Sequence, residues 1–251
     1  MPSITVKDTV VFVTGANRGI GRAIAEVAAE RGAKKVYAAA RDAGGVQNLV
    51  EQYPQQVVAV QLDVTNGEQI QAAAAQAQDV QILINNAGVA GYSGFVYHHD
   101  PEAARLEMDV NYFGPLNVTR AFGDTIVGNG NGAVATVISV GGLTNFPMAA
   151  TYSASKAAAH SLAQGLRAEL GPQGVAVFGI YPGPIDTDMA AGMDIEKETP
   201  RNVATRIFDD MQNGVEDITT DAYADEFVRN LKADAKALEV QTAQMAHQPE
   251  N

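Results

Sequence analysis

The sequence predicts a doubly wound α/β fold, in which a parallel sheet lies between two layers of helices. Short apolar runs rich in β-branched residues alternate with alanine-rich helical patterns through most of the 251 residues. The runs are continuously apolar, which is typical of strands that are covered on both faces. An alternation of strands and helices indicates right-handed crossovers between parallel strands. Since no Gly-, Ser- or Pro-rich linker divides the chain, we expect a single domain over residues 1–251.

The same patterns place the individual elements in chain order. Strands are predicted at Thr9–Thr14, Lys35–Ala40, Gln56–Leu62, Val80–Asn85, Ala133–Ser139 and Val175–Tyr181. Helices are predicted at Ile20–Arg31, Gly45–Gln52, Glu68–Ala77, Pro101–Val127, Ser153–Leu170, Asn202–Gln212 and Tyr223–Ala246. Beyond Pro182 the alternation stops, so residues 186–215 are expected to form a substrate-binding loop and helix, and residues 221–247 a C-terminal helix.

Composition excludes several classes of protein and of site. A net charge of −12 and a pI near 4.7 disfavour nucleic acid and anionic membranes as partners. The absence of cysteine excludes disulfides and thiolate metal sites. His98 and His99 are adjacent, and neighbours in sequence rarely bind one metal, so no metal site is predicted. The N-terminus does not resemble a signal peptide and no apolar stretch is long enough to span a bilayer, so we expect a cytoplasmic protein.

A glycine-rich turn, TGANRGIG, follows the first predicted strand and leads directly into a helix. Glycines at 15, 19 and 21 let the backbone approach a ligand closely, and the helix N-terminus offers unpaired N–H groups to a pyrophosphate. A tight strand-to-helix turn is the alternative for a glycine pattern taken alone. The position at the first strand–helix junction of a parallel sheet favours dinucleotide binding.

Two arginines indicate which dinucleotide is bound. NAD-binding units normally carry an acidic residue about twenty residues further on, for the ribose hydroxyl. Here the second strand ends in Ala40 and Arg41, and Arg18 lies within the glycine turn. A guanidinium suits a phosphate monoester, so the sequence predicts NADP(H) in preference to NAD(H), although Asp42 follows closely.

The stretch TYSASKAAAH places Tyr152 four residues before Lys156. On a helix these two side chains share a face, and a nearby ammonium favours the phenolate form of a tyrosine. An ordinary surface pair is the alternative. If a reacting group lies close by, Tyr152 becomes a proton donor and acceptor.

Five motifs in order make the sequence similar to the short-chain dehydrogenase/reductase family. They are TGANRGIG, NNAG (Asn85–Gly88), Ser139, YSASK (Tyr152–Lys156) and YPGPIDTDM (Tyr181–Met189), and the resemblance runs from about Thr9 to Met189. It implies a Rossmann-type fold and a catalytic set of Ser139, Tyr152 and Lys156, with Asn111 holding a water of a proton relay.

The resemblance also assigns residues to cofactor binding. These are Gly15, Asn17, Arg18, Gly19, Ile20 and Gly21 in the turn, Arg41, Asp63 and Val64 near the adenosine, Asn85, Ala87 and Gly88 in the cofactor floor, Tyr152 and Lys156 at the ribose, and Pro182, Gly183, Ile185 and Thr187 around the nicotinamide.

The function that follows is hydride transfer from NADPH to a carbonyl carbon, or its reverse. Apolar residues near the expected site, Phe146, Met148, Met189 and Met193, predict a hydrophobic ketone or aldehyde as substrate. Packing of each of these residues into the core or a lid is the alternative. Other functions left open are a 3-oxoacyl reductase of lipid synthesis and a non-catalytic NADPH sensor.

The C-terminal region departs from the family pattern. Many members end with a strand and a Thr-Gly…Asp-Gly-Gly segment that builds a subunit contact, and neither is expected here. We therefore predict a homodimer or homotetramer, with a dimer through the helices that carry Asn111 and Tyr152 favoured.

Overall fold

A computed structural model describes residues 3–192 and 194–244 of the protein. Within these residues, parallel strands form one sheet in the order β3-β2-β1-β4-β5-β6-β7. The strands are β1 (Val10–Thr14), β2 (Lys35–Ala40), β3 (Val57–Gln61), β4 (Ile82–Asn85), β5 (Ala133–Val137), β6 (Ala176–Tyr181) and β7 (Asp217–Thr219). The six predicted strands are all present, so the doubly wound Rossmann-type fold is confirmed.

The α-helices of the described residues connect these strands. They are α1 (Gly19–Glu30), α2 (Gln47–Gln52), α3 (Gly67–Gln76), α4 (Pro101–Met108), α5 (Gly114–Asn129), α6 (Ala150–Leu170), α7 (Pro200–Gln212), α8 (Ala222–Ala233) and α9 (Ala235–Gln244).

Each face of the sheet is covered by its own helices. Val11 and Val13 of β1 point to one core, which α1 and α7 complete, while Val10 and Phe12 point to the other, which α3, α5 and α6 complete. Since every residue of β1 is buried, the apolar run in the sequence is continuous. The result is three layers, helix on sheet on helix, in one domain.

The strand β7 corrects the expectation of an ending without a strand. Residues Asp217–Thr219 pair in parallel with Gly179–Tyr181 at the edge of the sheet. Only Ile218 among the three is buried. So short a segment, with exposed Asp217, carries no periodic signal that could be recognised in the sequence.

The helix predicted at Pro101–Val127 is divided by a π-helical turn at Asp109–Phe113, between α4 and α5. Pro115 has no N–H, so the backbone carbonyl of Asn111, four residues earlier, lacks its usual helical donor. Such π turns occur frequently at functional sites. Asn111 is therefore a candidate functional residue because of its backbone carbonyl as well as its side chain.

The prediction of a single C-terminal helix at Tyr223–Ala246 is wrong as well. The chain leaves the helical conformation at Asp234, where φ is −158° and ψ is 95°. The Asp234 carboxylate accepts hydrogen bonds from the amides of Lys236 and Ala237 at 3.0 and 2.9 Å and so caps α9. The end of the predicted helix, residues 245–246, lies outside the described residues.

Candidate active site

The candidate site lies at the carboxyl edge of the sheet. The strand order reverses between β1 and β4, and ligands of such sheets bind in the crevice at that point. Because all strands are parallel, the segments that follow β1 to β6 converge at this edge. These segments contain the glycine turn, Asn85–Gly88, Ser139 and the stretch after Tyr181, so the structure brings together the groups that the motifs predict.

The glycine turn is shaped by contacts that exclude any side chain. Gly15 has a φ of 66°, and a Cβ on Gly15 would lie 3.0 Å from the Ala87 Cα. A Cβ on Gly21 would lie 2.3 Å from the carbonyl oxygen of Gly15. The Asn86 side-chain amide donates to the carbonyls of Thr14 and Gly15 at 2.9 and 3.1 Å and ties the turn to β4. The turn is therefore packed closely against the end of β4.

The N-terminus of α1 opens from this turn. Arg18 occupies the N-cap position with extended backbone, and within the described residues no side chain caps the helix. The first N–H groups of α1 are then available to an anion. Asn17 and Arg18 are exposed and Ile20 is half-buried. The chemistry of this donor set fits the pyrophosphate of a dinucleotide.

The two arginines predicted at the cofactor, Arg18 and Arg41, lie in the segments that follow β1 and β2. Arg41 is exposed directly after β2. The carboxylate of Asp42 accepts from the Gly44 amide at 2.9 Å and is thus directed at its own loop. Arg18 pairs with Asp188 at 2.7 Å, with side chains that are 68% and 74% exposed. An ion pair with both side chains that exposed contributes little to stability.

Asp63, Val64 and Asn85, which are predicted at the adenosine and the cofactor floor, lie at or just after the ends of β3 and β4. The Asp63 carboxylate accepts from the amide and hydroxyl of Thr65 at 2.9 and 2.7 Å. Val64 is buried. Its Cγ2 would lie 2.8 Å from a Cβ on Gly114, so only glycine fits at position 114. Asn85 is buried, and its side-chain nitrogen donates to the Thr119 hydroxyl at 3.0 Å.

Ser139 and Tyr152 place two hydroxyl groups side by side. Ser139 follows β5, and its hydroxyl accepts from the Gly141 amide at 3.0 Å. Tyr152 lies in the first turn of α6. Burial raises the pKa of Tyr152 to about 12, and a hydrogen bond with Ser139 partly opposes that rise. At neutral pH Tyr152 is therefore a protonated donor.

Lys156 lies one helical turn after Tyr152 and is 4% exposed. Its ammonium donates to the Val137 carbonyl at 2.9 Å and lies 5.6 Å from the centre of the Tyr152 ring. Burial lowers the pKa of Lys156 to about 8. Burial dominates the pKa of Tyr152, and the Lys156 ammonium faces a backbone carbonyl, so the expectation that Lys156 favours the phenolate stays a prediction.

Asn111 joins the π turn to the other segments. Its amide oxygen accepts from the Val89 amide, and its amide nitrogen donates to the Val89 carbonyl and to the Ser155 hydroxyl, each at 2.9 Å. A Cβ on Gly88 would lie 3.2 Å from the Asn111 side-chain oxygen and 3.3 Å from Lys156 Nζ. Gly88 therefore keeps a narrow space beside both polar groups.

The segment after β6 closes the other side of the cleft. Gly183 donates its N–H to the Asp221 carboxylate at 2.8 Å. Thr187 lies across from the glycine turn, where its methyl group would be 3.1 Å from a Cβ on Gly19. Ile185 is buried. Of the predicted nicotinamide residues, Thr187 therefore lies against the glycine turn, while Pro182 and Ile185 are buried and Gly183 is half-buried.

A family model described as short chain dehydrogenase matches residues 9–198. The chain belongs to the short-chain dehydrogenase/reductase family. It is therefore an oxidoreductase that acts between CH–OH and C=O groups with a nicotinamide cofactor.

Relatives of known sequence agree with this assignment. The chain is 34% identical over 198 residues to "Dehydrogenase/reductase SDR family member 7B" of Xenopus tropicalis, a match that covers 74% of this chain and 63% of that protein. It is 36% identical over 208 residues to an uncharacterized oxidoreductase of Staphylococcus aureus strain USA300, covering 80% of this chain and 89% of the relative.

Solved structures of family members superpose closely. A short chain dehydrogenase from Burkholderia cenocepacia J2315, in complex with NADP, has a TM-score of 0.90 and 40% identity, and covers 95% of this chain and 99% of that one. A short chain dehydrogenase/reductase from Burkholderia phymatum, in complex with NAD, has a TM-score of 0.82 and 26% identity, and covers 94% and 96%.

The residues predicted to contact the substrate of this short-chain dehydrogenase/reductase differ from one another in exposure. Met148 and Met189 are 63% and 42% exposed. Phe146 stacks on Phe227 of α8, with ring centres 5.6 Å apart, and so packs partly into the protein. Met193 lies outside the described residues.

Several residues of the site had no recognisable signal in the sequence. Asn86 stands beside Asn85, and only the fold shows which of the two holds the glycine turn. Asp221 reaches Gly183 from 38 positions away. Glu107 is 1% exposed and accepts from the Gly91 amide at 2.6 Å, which a helical pattern does not reveal.

Across residues 3–192 and 194–244, no three His, Asp or Glu side chains come together in a group that could hold a metal ion. Over the same residues, no helix combines the length and the apolar character needed to cross a membrane.

Proposed function

We propose that the protein is an NADPH-dependent carbonyl reductase that acts on hydrophobic ketones or aldehydes, and in reverse an alcohol dehydrogenase. The observation that carries the proposal is the pairing of the Ser139 and Tyr152 hydroxyls at the carboxyl edge of the sheet, with buried Lys156 one turn behind. The bound cofactor supplies the hydride.

In this proposal the two hydroxyls act on the carbonyl oxygen. Negative charge develops on that oxygen as the carbon accepts the hydride, and the Ser139 hydroxyl donates a hydrogen bond to it. Tyr152 carries a proton at neutral pH because its pKa is raised to about 12, and it transfers this proton to the oxygen to complete the alcohol. In the reverse direction the phenolate takes the proton from the alcohol.

Lys156 replaces the proton that Tyr152 gives up. A pKa lowered to about 8 lets Lys156 release and regain a proton near neutral pH. The space beside Gly88 lies against both Lys156 and Asn111, and a water there would contact the two residues. The Asn111 carbonyl, which lacks its helical donor because of Pro115, is a second acceptor for the relay.

The preference for NADPH rests on Arg18 and Arg41. The free N–H groups of α1 would hold the pyrophosphate, and the two guanidiniums would hold the 2′-phosphate of the adenosine ribose. Asp42, the only acid next to Arg41 in sequence, is bound to the Gly44 amide. The Burkholderia cenocepacia relative, 40% identical, is complexed with NADP, which supports the same cofactor here.

A hydrophobic substrate is supported by the mouth of the cleft. Met148 and Met189 expose flexible apolar side chains there. A homodimer or homotetramer is part of the proposal, since Leu106 and Phe113 expose 51% and 45% of their surface on α4 and the π turn. Light scattering after gel filtration measures the oligomeric state directly.

The test is the rate of NADPH and of NADH oxidation with aryl ketones, aliphatic aldehydes, diketones and 3-oxoacyl esters. We expect turnover of apolar ketones or aldehydes with a preference for NADPH. Faster turnover of 3-oxoacyl esters would show that these esters, and not apolar ketones or aldehydes, are the preferred substrate class. Tight binding of NADPH without turnover of any compound would favour a non-catalytic NADPH sensor over the proposed reductase.

A further inference from the structure

Tyr92 bridges the two segments that border the mouth of the cleft. Its hydroxyl donates to the backbone carbonyl of Met189 at 2.5 Å, although the two residues are 97 positions apart. Tyr92 belongs to the segment after β4, and Met189 belongs to the segment after β6. The hydrogen bond therefore spans the cleft from one wall to the other.

The backbone around Tyr92 is held in place on both sides. Gly91 donates its N–H to buried Glu107 at 2.6 Å. The carbonyl of Ser93 accepts from the amide of Thr151, the residue before Tyr152, at 3.2 Å. Tyr92 itself has a φ of 50°, a left-handed conformation that a tyrosine rarely adopts. The strained backbone is thus fixed by its neighbours, which aims the ring across the cleft.

Tyr92 also lies close to the reacting phenol. Its charge, when ionised, and that of Glu107 add to burial in raising the pKa of Tyr152. Ser139 opposes the rise, and Lys156 lies behind the ring. Tyr92 is 46% exposed, so about half of its surface is covered by the protein.

The partner segment is held from two directions at neighbouring residues. Asp188 pairs with Arg18 of the glycine turn at 2.7 Å, and Met189 accepts from Tyr92. These residues form one short turn, in which the Ala190 amide donates to the Thr187 carbonyl at 3.0 Å. If NADPH draws Arg18 away from Asp188, Tyr92 remains as the contact that holds this turn over the cleft.

We propose that Tyr92 is a specificity-determining residue, whose hydrogen bond to Met189 narrows the mouth of the cleft and limits the bulk of the ketone or aldehyde admitted. The inference rests on the proposed function. The Tyr92 ring supplies an apolar wall, and its hydroxyl supplies the hydrogen bond to the Met189 carbonyl, which we call the clasp. Tyr92→Phe removes the clasp and keeps the wall. Tyr97→Phe is the matched control, since Tyr97 lies on the same segment and is 82% exposed.

The first readout needs no substrate. Hydrogen exchange at the Ala190 amide reports opening of the turn that carries Met189. We expect Tyr92→Phe to speed this exchange by about threefold to tenfold, the effect of losing one net hydrogen bond. Tyr97→Phe should leave it unchanged. Equal exchange in the wild type and Tyr92→Phe overturns the clasp, whatever reaction the enzyme catalyses.

The second readout is the ratio of kcat/KM for a bulky aryl ketone to that for a small aliphatic ketone. We expect Tyr92→Phe to raise this ratio by a similar factor, about threefold to tenfold, mainly through a lower KM for the bulky ketone. An unchanged ratio in Tyr92→Phe overturns the role in specificity. If the wild type reduces neither ketone, the proposed function fails. The exchange rates still show whether the hydrogen bond from Tyr92 holds the turn that carries Met189.

Discussion

The ammonium of Lys156 donates a hydrogen bond to the carbonyl of Val137 at 2.9 Å, in a site where Lys156 is 4% exposed. The lysine is thus oriented by the end of β5, the strand that Ser139 follows. Burial lowers the pKa of Lys156 to about 8, while it raises the pKa of Tyr152 to about 12. The pair therefore combines an acid that stays protonated with an amine that exchanges protons near neutral pH.

The buried charge of Lys156 has a cost in stability that depends on pH. The folded pKa of about 8 lies below the ordinary value of 10.5, so the cost is complete below pH 8 and vanishes above pH 10.5. Lys156→Met removes the charge and also the donor to Val137. We expect it to raise the free energy of unfolding by about 2 kcal/mol at pH 7.

This gain should decline as the pH rises from 8 to 10.5, which denaturant titrations at several pH values can measure. The control is Lys232→Met, at an exposed position on α8, where no such pH dependence is expected. A gain from Lys156→Met that is the same at pH 7 and pH 10.5 would show that the charge is not the cause.

Cofactor preference should depend on Arg41. With Arg41→Ala we expect the dissociation constant of NADPH to rise about 10- to 100-fold, since a charge-assisted contact to phosphate is lost, and that of NADH to change little. Fluorescence titration measures both constants. Arg120→Ala, at an exposed position on α5, is the matched control. Equal losses for the two cofactors would refute the 2′-phosphate assignment.

Asp188 should compete with the cofactor for Arg18. Because the ion pair is exposed, Asp188→Asn should tighten NADPH binding by at most about fivefold, with no effect on NADH. The same titration measures the change. Weaker binding of NADPH to Asp188→Asn would mean that Asp188 assists the cofactor and does not compete with it.

Gly88 should be essential for the proton relay. A methyl group there would press on both the Asn111 side chain and the Lys156 ammonium, so we expect Gly88→Ala to lower kcat at least about tenfold. At Gly123, among the described residues and apart from its chain neighbours and its own helix backbone, no atom lies within 4 Å of an added methyl, so Gly123→Ala is the control for a glycine-to-alanine change. Wild-type kcat in a folded Gly88→Ala would exclude the space beside Gly88 from the relay.

Most of the sheet could be predicted from the sequence because buried parallel strands are apolar throughout. Every residue of β1 and β5 is buried, and such runs stand out from alanine-rich helices. In contrast, β7 buries only Ile218. The break at Asp234 cannot be recognised in the sequence, because the helical pattern continues on both sides of it and the aspartate alone indicates the new cap.

The residues of the site that follow strands could be predicted in the same way, because the fold places them at one edge. Contacts between distant segments could not. The π turn depends on Pro115 and on packing around Asn111, and the link from Tyr92 to Met189 crosses 97 positions. Likewise, the distance between two residues on one helical face does not show that Lys156 bonds to a strand carbonyl.

The most direct test of the account is the rate of NADPH oxidation by Tyr152→Phe with the best ketone or aldehyde of the wild type, measured beside the dissociation constant of NADPH. If Tyr152 is the proton donor, kcat should fall at least about 100-fold while NADPH still binds. A variant that binds NADPH and keeps the wild-type kcat would contradict the account, because the proton would then come from another group.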